Sequence, residues 1–101
     1  MKKVRISAKA VIVHYELVEE FENPIENACS IKPGMEWISE NAEMPEGFCA
    51  SAWMNLQPFV FALASGAENL FDGWMKDPKS AMISCNDGFR PVSFYLEALD
   101  D

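Results

Sequence analysis

"AMISCNDGFRPVSFYLEAL", residues 81 to 99, decides the fold. Ala81, Ile83 and Cys85 alternate with Met82 and Ser84, and Val92, Phe94 and Leu96 alternate with Ser93 and Tyr95. A period of two in polarity belongs to strands that bury one face. Between the two runs, Asn86-Asp87-Gly88-Phe89-Arg90 supplies turn chemistry, so the stretch predicts an antiparallel hairpin. The apolar side of that hairpin needs a cover, and the preceding sequence provides one.

From Phe48 onward, Cys49, Ala52, Trp53, Leu56, Val60 and Leu63 recur every three or four residues, which is one stripe of a helix. Pro58 lies inside this pattern and has no N–H to donate, which predicts a kink or a break into two helices, with Pro58 in the first turn of the second. Gly66 supplies a natural C-terminal cap. Nearer the start, Val4, Ile6, Ala8, Ala10 and Ile12 alternate with Arg5, Ser7 and Lys9, as in a strand. Val11, Val13 and Tyr15 make its far end apolar on both faces, and that end is expected between layers. Leu17, Val18 and Phe21 then mark a short helical turn that Asn23-Pro24 stops. Residues 22–34 read as an irregular connection ending in a Pro33-Gly34 turn, MEWIS as a short strand, and ENAEMPEG and AENLFDGWMKDPKS as loops. The class is α+β: a small, mainly antiparallel sheet with one main helix, kinked or broken, packed on one face. The 101 residues fit a single domain, 1–101.

Composition narrows the partners. Half of the residues are hydrophobic and 12% are aromatic, enough to fill a small core. A net charge of -8 opposes phosphate backbones and anionic lipid, so neither nucleic acid nor a membrane is an expected partner. The basic, apolar start is interrupted by Arg5, Ser7 and Lys9 and reads as a strand, not a signal peptide. No apolar run approaches the roughly 20 residues of a spanning helix. Three cysteines with no close pair fit a reducing, cytoplasmic setting better than a disulfide framework.

Taken together, PEGFC with Ala52-Trp53, Leu63-Ala64-Ser65-Gly66, Trp74-Met75-Lys76 and Cys85-x-Asp87-Gly88 with Arg90-Pro91-Val92 resemble the motif set of a family of small uncharacterised prokaryotic proteins. The resemblance runs from Lys3 to Leu99 and includes Cys29. It implies a shared fold and no particular reaction. Ser51 and Ser84 depart from it, standing where such proteins often carry an aromatic and a further cysteine.

Several residue sets carry chemistry. Cys49 follows the Pro45-Glu46-Gly47 turn, in the first turns of the main helix, where free backbone N–H groups favour a thiolate. It also lies on the apolar stripe, and cysteine is among the most buried residue types, so we read it as core packing. Cys29, Cys49 and Cys85, completed by His14 or Asp87, form an alternative zinc set, although the close ligand pairs usual for zinc are missing. A Cys-His nucleophile has only His14 as its base. Trp53, Trp74, Lys76, Asp87 and Arg90 form the ligand-binding candidate set, with Arg90 able to clamp a carboxylate or phosphate or to brace the hairpin against Asp87. Bracing is the reading we favour, since turn Asp and Arg pair locally. The functional expectation is a non-enzymatic cytoplasmic binding or interaction domain for a small molecule, self-associating as a homo-oligomer through a sheet edge or an aromatic face. The alternative is a thiol- or metal-dependent activity centred on Cys49, with Cys29 and Cys85 beside it.

Overall fold

A computed structural model describes residues 1–100. Its elements follow the chain as β1 (Val4–Val11), α1 (Tyr15–Phe21), β2 (Glu36–Ser39), α2 (Ala50–Ala64), β3 (Ser80–Ser84) and β4 (Val92–Ala98). The four strands form one antiparallel sheet in the order β2-β1-β4-β3, and α2 packs on one face of it. The fold is therefore α+β.

The hairpin forms as its alternation dictates. Ala81 pairs with Leu96 and Ile83 with Phe94, and the Cys85 N–H donates to Val92 O at 3.1 Å to extend the ladder by one step. Residues opposite one another in an antiparallel pair share a face, so these side chains form one apolar layer. Val4, Ile6 and Ala8 of β1 continue that layer opposite Ala98, Leu96 and Phe94. Leu56, Val60 and Leu63 of α2 lie on it, and all of these core side chains except Ile83 and Ala98 are buried.

The alternation of β1 does not run to Ile12. A bulge at Lys9 shifts the register with β4, so that Ala10 faces Ser93 and Val11 faces Val92. One extra residue reverses which face each later side chain occupies. Val11 thus turns toward the core while Ile12 is left exposed, and the strand ends there. Nor is the far end buried between layers, because Tyr15, 76% exposed, opens α1.

A break at Pro58 is likewise absent: α2 runs through it without interruption. Proline in a helix interior costs roughly 3 kcal/mol, whereas burying each of Val60 and Leu63 downstream gains about 1.5–3 kcal/mol. Holding both on the stripe outweighs the lost bond, and Pro58 itself lies on the exposed side. The helix closes as expected around Gly66, whose φ of +94° suits a residue without Cβ. Gly66 N–H donates to Leu63 O at 3.1 Å and Ala67 N–H to Ala62 O at 2.9 Å, the paired bonds of a Schellman cap.

The opposite face of the sheet is open. It carries the Arg5–Glu97 ion pair at 3.2 Å, the Lys9 ammonium 6.0 Å from the Tyr95 ring centre, and the exposed Ile38 and Met82. α1 buries no side chain at all.

Truncating Phe94 should cost about 3–5 kcal/mol of stability, the usual penalty for emptying a buried phenylalanine site. Phe61→Ala on the exposed side of α2 should cost less than about 1 kcal/mol. Urea unfolding of the two variants measures the contrast, and equal costs would contradict the assignment of the core face.

Candidate functional site

Phe48 turns the chain into α2. Its ring is buried and stands edge-on to Trp37 at 4.8 Å and to Trp53 at 6.2 Å, with Phe94 at 5.5 Å. Phe48 immediately precedes the cap and Trp53 is the fourth helical residue, the placement of a hydrophobic staple. With Phe48 directed inward, Cys49 faces outward. It is exposed, not packed in the core, and it serves as the N-cap: its Sγ accepts the Ala52 N–H at 3.5 Å. The spacing alone would have put Cys49 on the buried stripe. The helix begins at Ala50, two residues after Phe48, and that offset moves it off the stripe.

The cap opens onto a pocket of about 220 Å3. Three parts of the chain build it. The start of α2 contributes Cys49, Ser51 and Ala52; the hairpin loop contributes Cys85, Asn86 and Asp87; the irregular segment after α1 contributes Ala28, Cys29, Ser30 and Ile31. All three cysteines therefore converge on one cavity. Cys29 and Cys49 are exposed, whereas Cys85 is half-buried against the core, with its Sγ accepting the Val92 N–H at 3.3 Å. Ser51 Oγ donates to Asn86 Oδ1 at 3.1 Å and ties the helix start to the hairpin loop.

That loop is held by Asp87, whose Oδ1 accepts the backbone N–H groups of Phe89 at 2.8 Å and Arg90 at 3.0 Å. Short Asp side chains stabilise turns in this way. The guanidinium of Arg90 does not brace Asp87 but reaches across to Glu22 just beyond α1, where Nη1 and Nη2 donate to the two carboxylate oxygens at 3.0 and 2.7 Å. This bidentate grip holds the Arg90 guanidinium above its ordinary value, opposed in part by desolvation. His14 adds a backbone bond, its N–H donating to Phe89 O at 2.9 Å. Among the described residues, no backbone bond ties residues 23–31 to the rest of the chain. The pocket wall that carries Cys29 thus hangs between the Glu22 clamp on one side and the Gly34–Ala8 bond, 2.9 Å, on the other.

The remaining ligand-set residues lie elsewhere. Trp53 is half-buried against Phe48. Trp74, 86% exposed, and Lys76 sit in the loop beyond the C-terminal end of α2. Fifteen helical residues, roughly 22 Å of rise, separate that end from the pocket. Of the five, Asp87 alone lines the cavity. His14 is exposed at the start of α1, and among the described residues no group of three or more His, Cys, Asp or Glu side chains is placed to hold a metal ion. Neither Ser51 nor Asn86 belongs to the candidate site sets read from sequence, since their bond joins residues 35 positions apart.

Compared with protein-family models, curated proteins and solved structures, the chain matches none of them. No helix among the described residues is long and apolar enough to cross a membrane.

Removing the clamp should loosen one wall of the pocket and spare the sheet. Arg90→Ala should raise amide hydrogen exchange across residues 15–32 by an order of magnitude or more, with β1 and β4 unchanged. An unaltered exchange map would show that the Glu22–Arg90 pair does not hold this segment.

Proposed function

We propose that the protein is a small binding domain that takes a small molecule into the pocket lined by Cys29, Cys49, Cys85, Ser51 and Asp87. The observation that carries this reading is the convergence of three separate chain segments on one cavity of mixed polarity. A few polar groups set into an apolar wall are the ordinary makeup of a ligand site. At about 220 Å3 the cavity suits a compact ligand, smaller than the drug-sized occupants of pockets of about 300–1,000 Å3. The net charge of -8 and the Asp87 carboxylate select a neutral or cationic molecule over an anion.

Self-association belongs to the same reading. β3 is an edge strand whose five residues, Ser80–Ser84, include no charge. Natural edges are commonly blunted by Lys, Pro or a bulge, and this one has none of them. Pairing of β3 with β3 of a second copy would close a two-fold dimer and extend the sheet. A thiol-dependent activity at Cys49 is the second reading, favoured by the exposure of Cys49 on the cavity that Cys29 also lines.

Both parts of the proposal are measurable. Saturation-transfer NMR with a library of neutral and cationic fragments should find binders of the native protein that are lost in Ser51→Phe, whose ring fills the cavity. A library with no binder, or binders that survive the filled cavity, would sink the pocket reading. In sedimentation equilibrium the protein should behave as a dimer and Met82→Lys, which places a charge on the edge, as a monomer. A native monomer at all concentrations removes self-association.

A further inference from the structure

Ten of the 101 residues line the pocket, yet every cysteine of the chain is among them. A site that merely contains a ligand has no need of three sulfurs, and their surroundings differ. Cys85 is half-buried, packs against the core and has its sulfur engaged by the Val92 N–H. Cys29 and Cys49 are both exposed and are the pair that a solute can reach. Cys49 is fixed at the head of a fifteen-residue helix by its bond from Ala52. Cys29 is carried by the wall that lacks backbone bonds from residue 23 to residue 31 among the described residues. It also lies within electrostatic reach of the Arg90 guanidinium, which holds the near end of that wall. A disulfide requires Cα atoms within about 4.4–6.8 Å. A wall with no backbone bond from residue 23 to residue 31 among the described residues can shift toward that separation without breaking one.

We propose that Cys29 and Cys49 are a dithiol that hydrogen peroxide oxidises to a disulfide, with Cys49 attacking and Cys29 resolving. The Cys49 thiolate attacks one peroxide oxygen; an S–O bond forms, the O–O bond breaks, and the departing oxygen takes a proton and leaves as water. Cys49 is then a sulfenic acid. The Cys29 thiolate attacks the Cys49 sulfur; the S–S bond forms, the S–O bond breaks, and the hydroxide takes a proton and leaves as a second water. Two thiols lose two electrons, and hydrogen peroxide gains them. The product stitches the pocket wall to the helix start and closes the cavity while Cys85 stays a thiol.

The reduced full-length protein, with no ligand added, is treated with hydrogen peroxide, alkylated and digested without reductant. Peptide mapping should find Cys29 joined to Cys49 within one chain, two hydrogen masses lighter than the sum of the separate peptides, and Cys85 alkylated. Cys85→Ser should form the same link, and Cys29→Ser should leave a Cys49 sulfenic acid that dimedone traps. A link to Cys85, a link between chains, or Cys49 oxidised to sulfinic acid with no link overturns the proposal. If a variant fails to fold, the map of the unmutated protein decides alone. The fragment screen on reduced protein stands apart from this experiment, so failure of the ligand reading and failure of the dithiol reading are told apart.

Discussion

The seating of Phe48 is the contact on which the rest of the molecule depends. Its ring enters between Trp37 of β2, Phe94 of β4 and Trp53 of α2, so one side chain joins the outer strand, an inner strand and the helix. Aromatic rings in edge-to-face array bury large areas and favour one geometry over others. Once Phe48 is inside, the direction of the next residue follows from backbone geometry. Cys49 must leave the core, accept the Ala52 N–H and face the hairpin loop. Core packing and pocket chemistry are thus set by adjacent residues of one turn.

Electrostatics completes the pocket where packing does not. α1 contributes nothing to the core, and the segment that follows it has no ladder to join. Its position rests on Glu22 and Arg90, whose side chains are only 13% and 19% exposed. A forked guanidinium on a carboxylate specifies orientation as well as distance, which a lysine could not do equally well. The pairs that Lys2 and Lys79 make with Asp100 lie on open surface and contribute less to order.

The local periodicities were legible, and the long-range pairings were not. Alternation in residues 81–99 and the stripe from Ala52 to Leu63 translated directly into β3, β4 and α2, because both patterns arise from one face meeting one core. The bulge at Lys9 was invisible because Ala10 and Ile12 continue an apolar alternation that the backbone no longer obeys. Arg90 offered a nearby acid in Asp87, and nothing in the order of residues pointed to Glu22, 68 positions away. The three cysteines could be named as a group from sequence, but their meeting depends on a β1–β2 excursion with no periodicity to read.

That excursion separates two tasks usually carried by the same residues. β1 and β2 are antiparallel neighbours, a pair that a two-residue turn could join, yet the chain between them spans α1 and the whole Cys29 wall. The described residues from Ile12 to Met35 place none of their side chains among the fully buried core. Exchange of residues in that wall can therefore reshape what the cavity admits at small thermodynamic cost to the sheet and helix. The protein has the organisation of a constant frame bearing one loop that lies outside the fully buried core, and selection can act on that loop without renegotiating the fold.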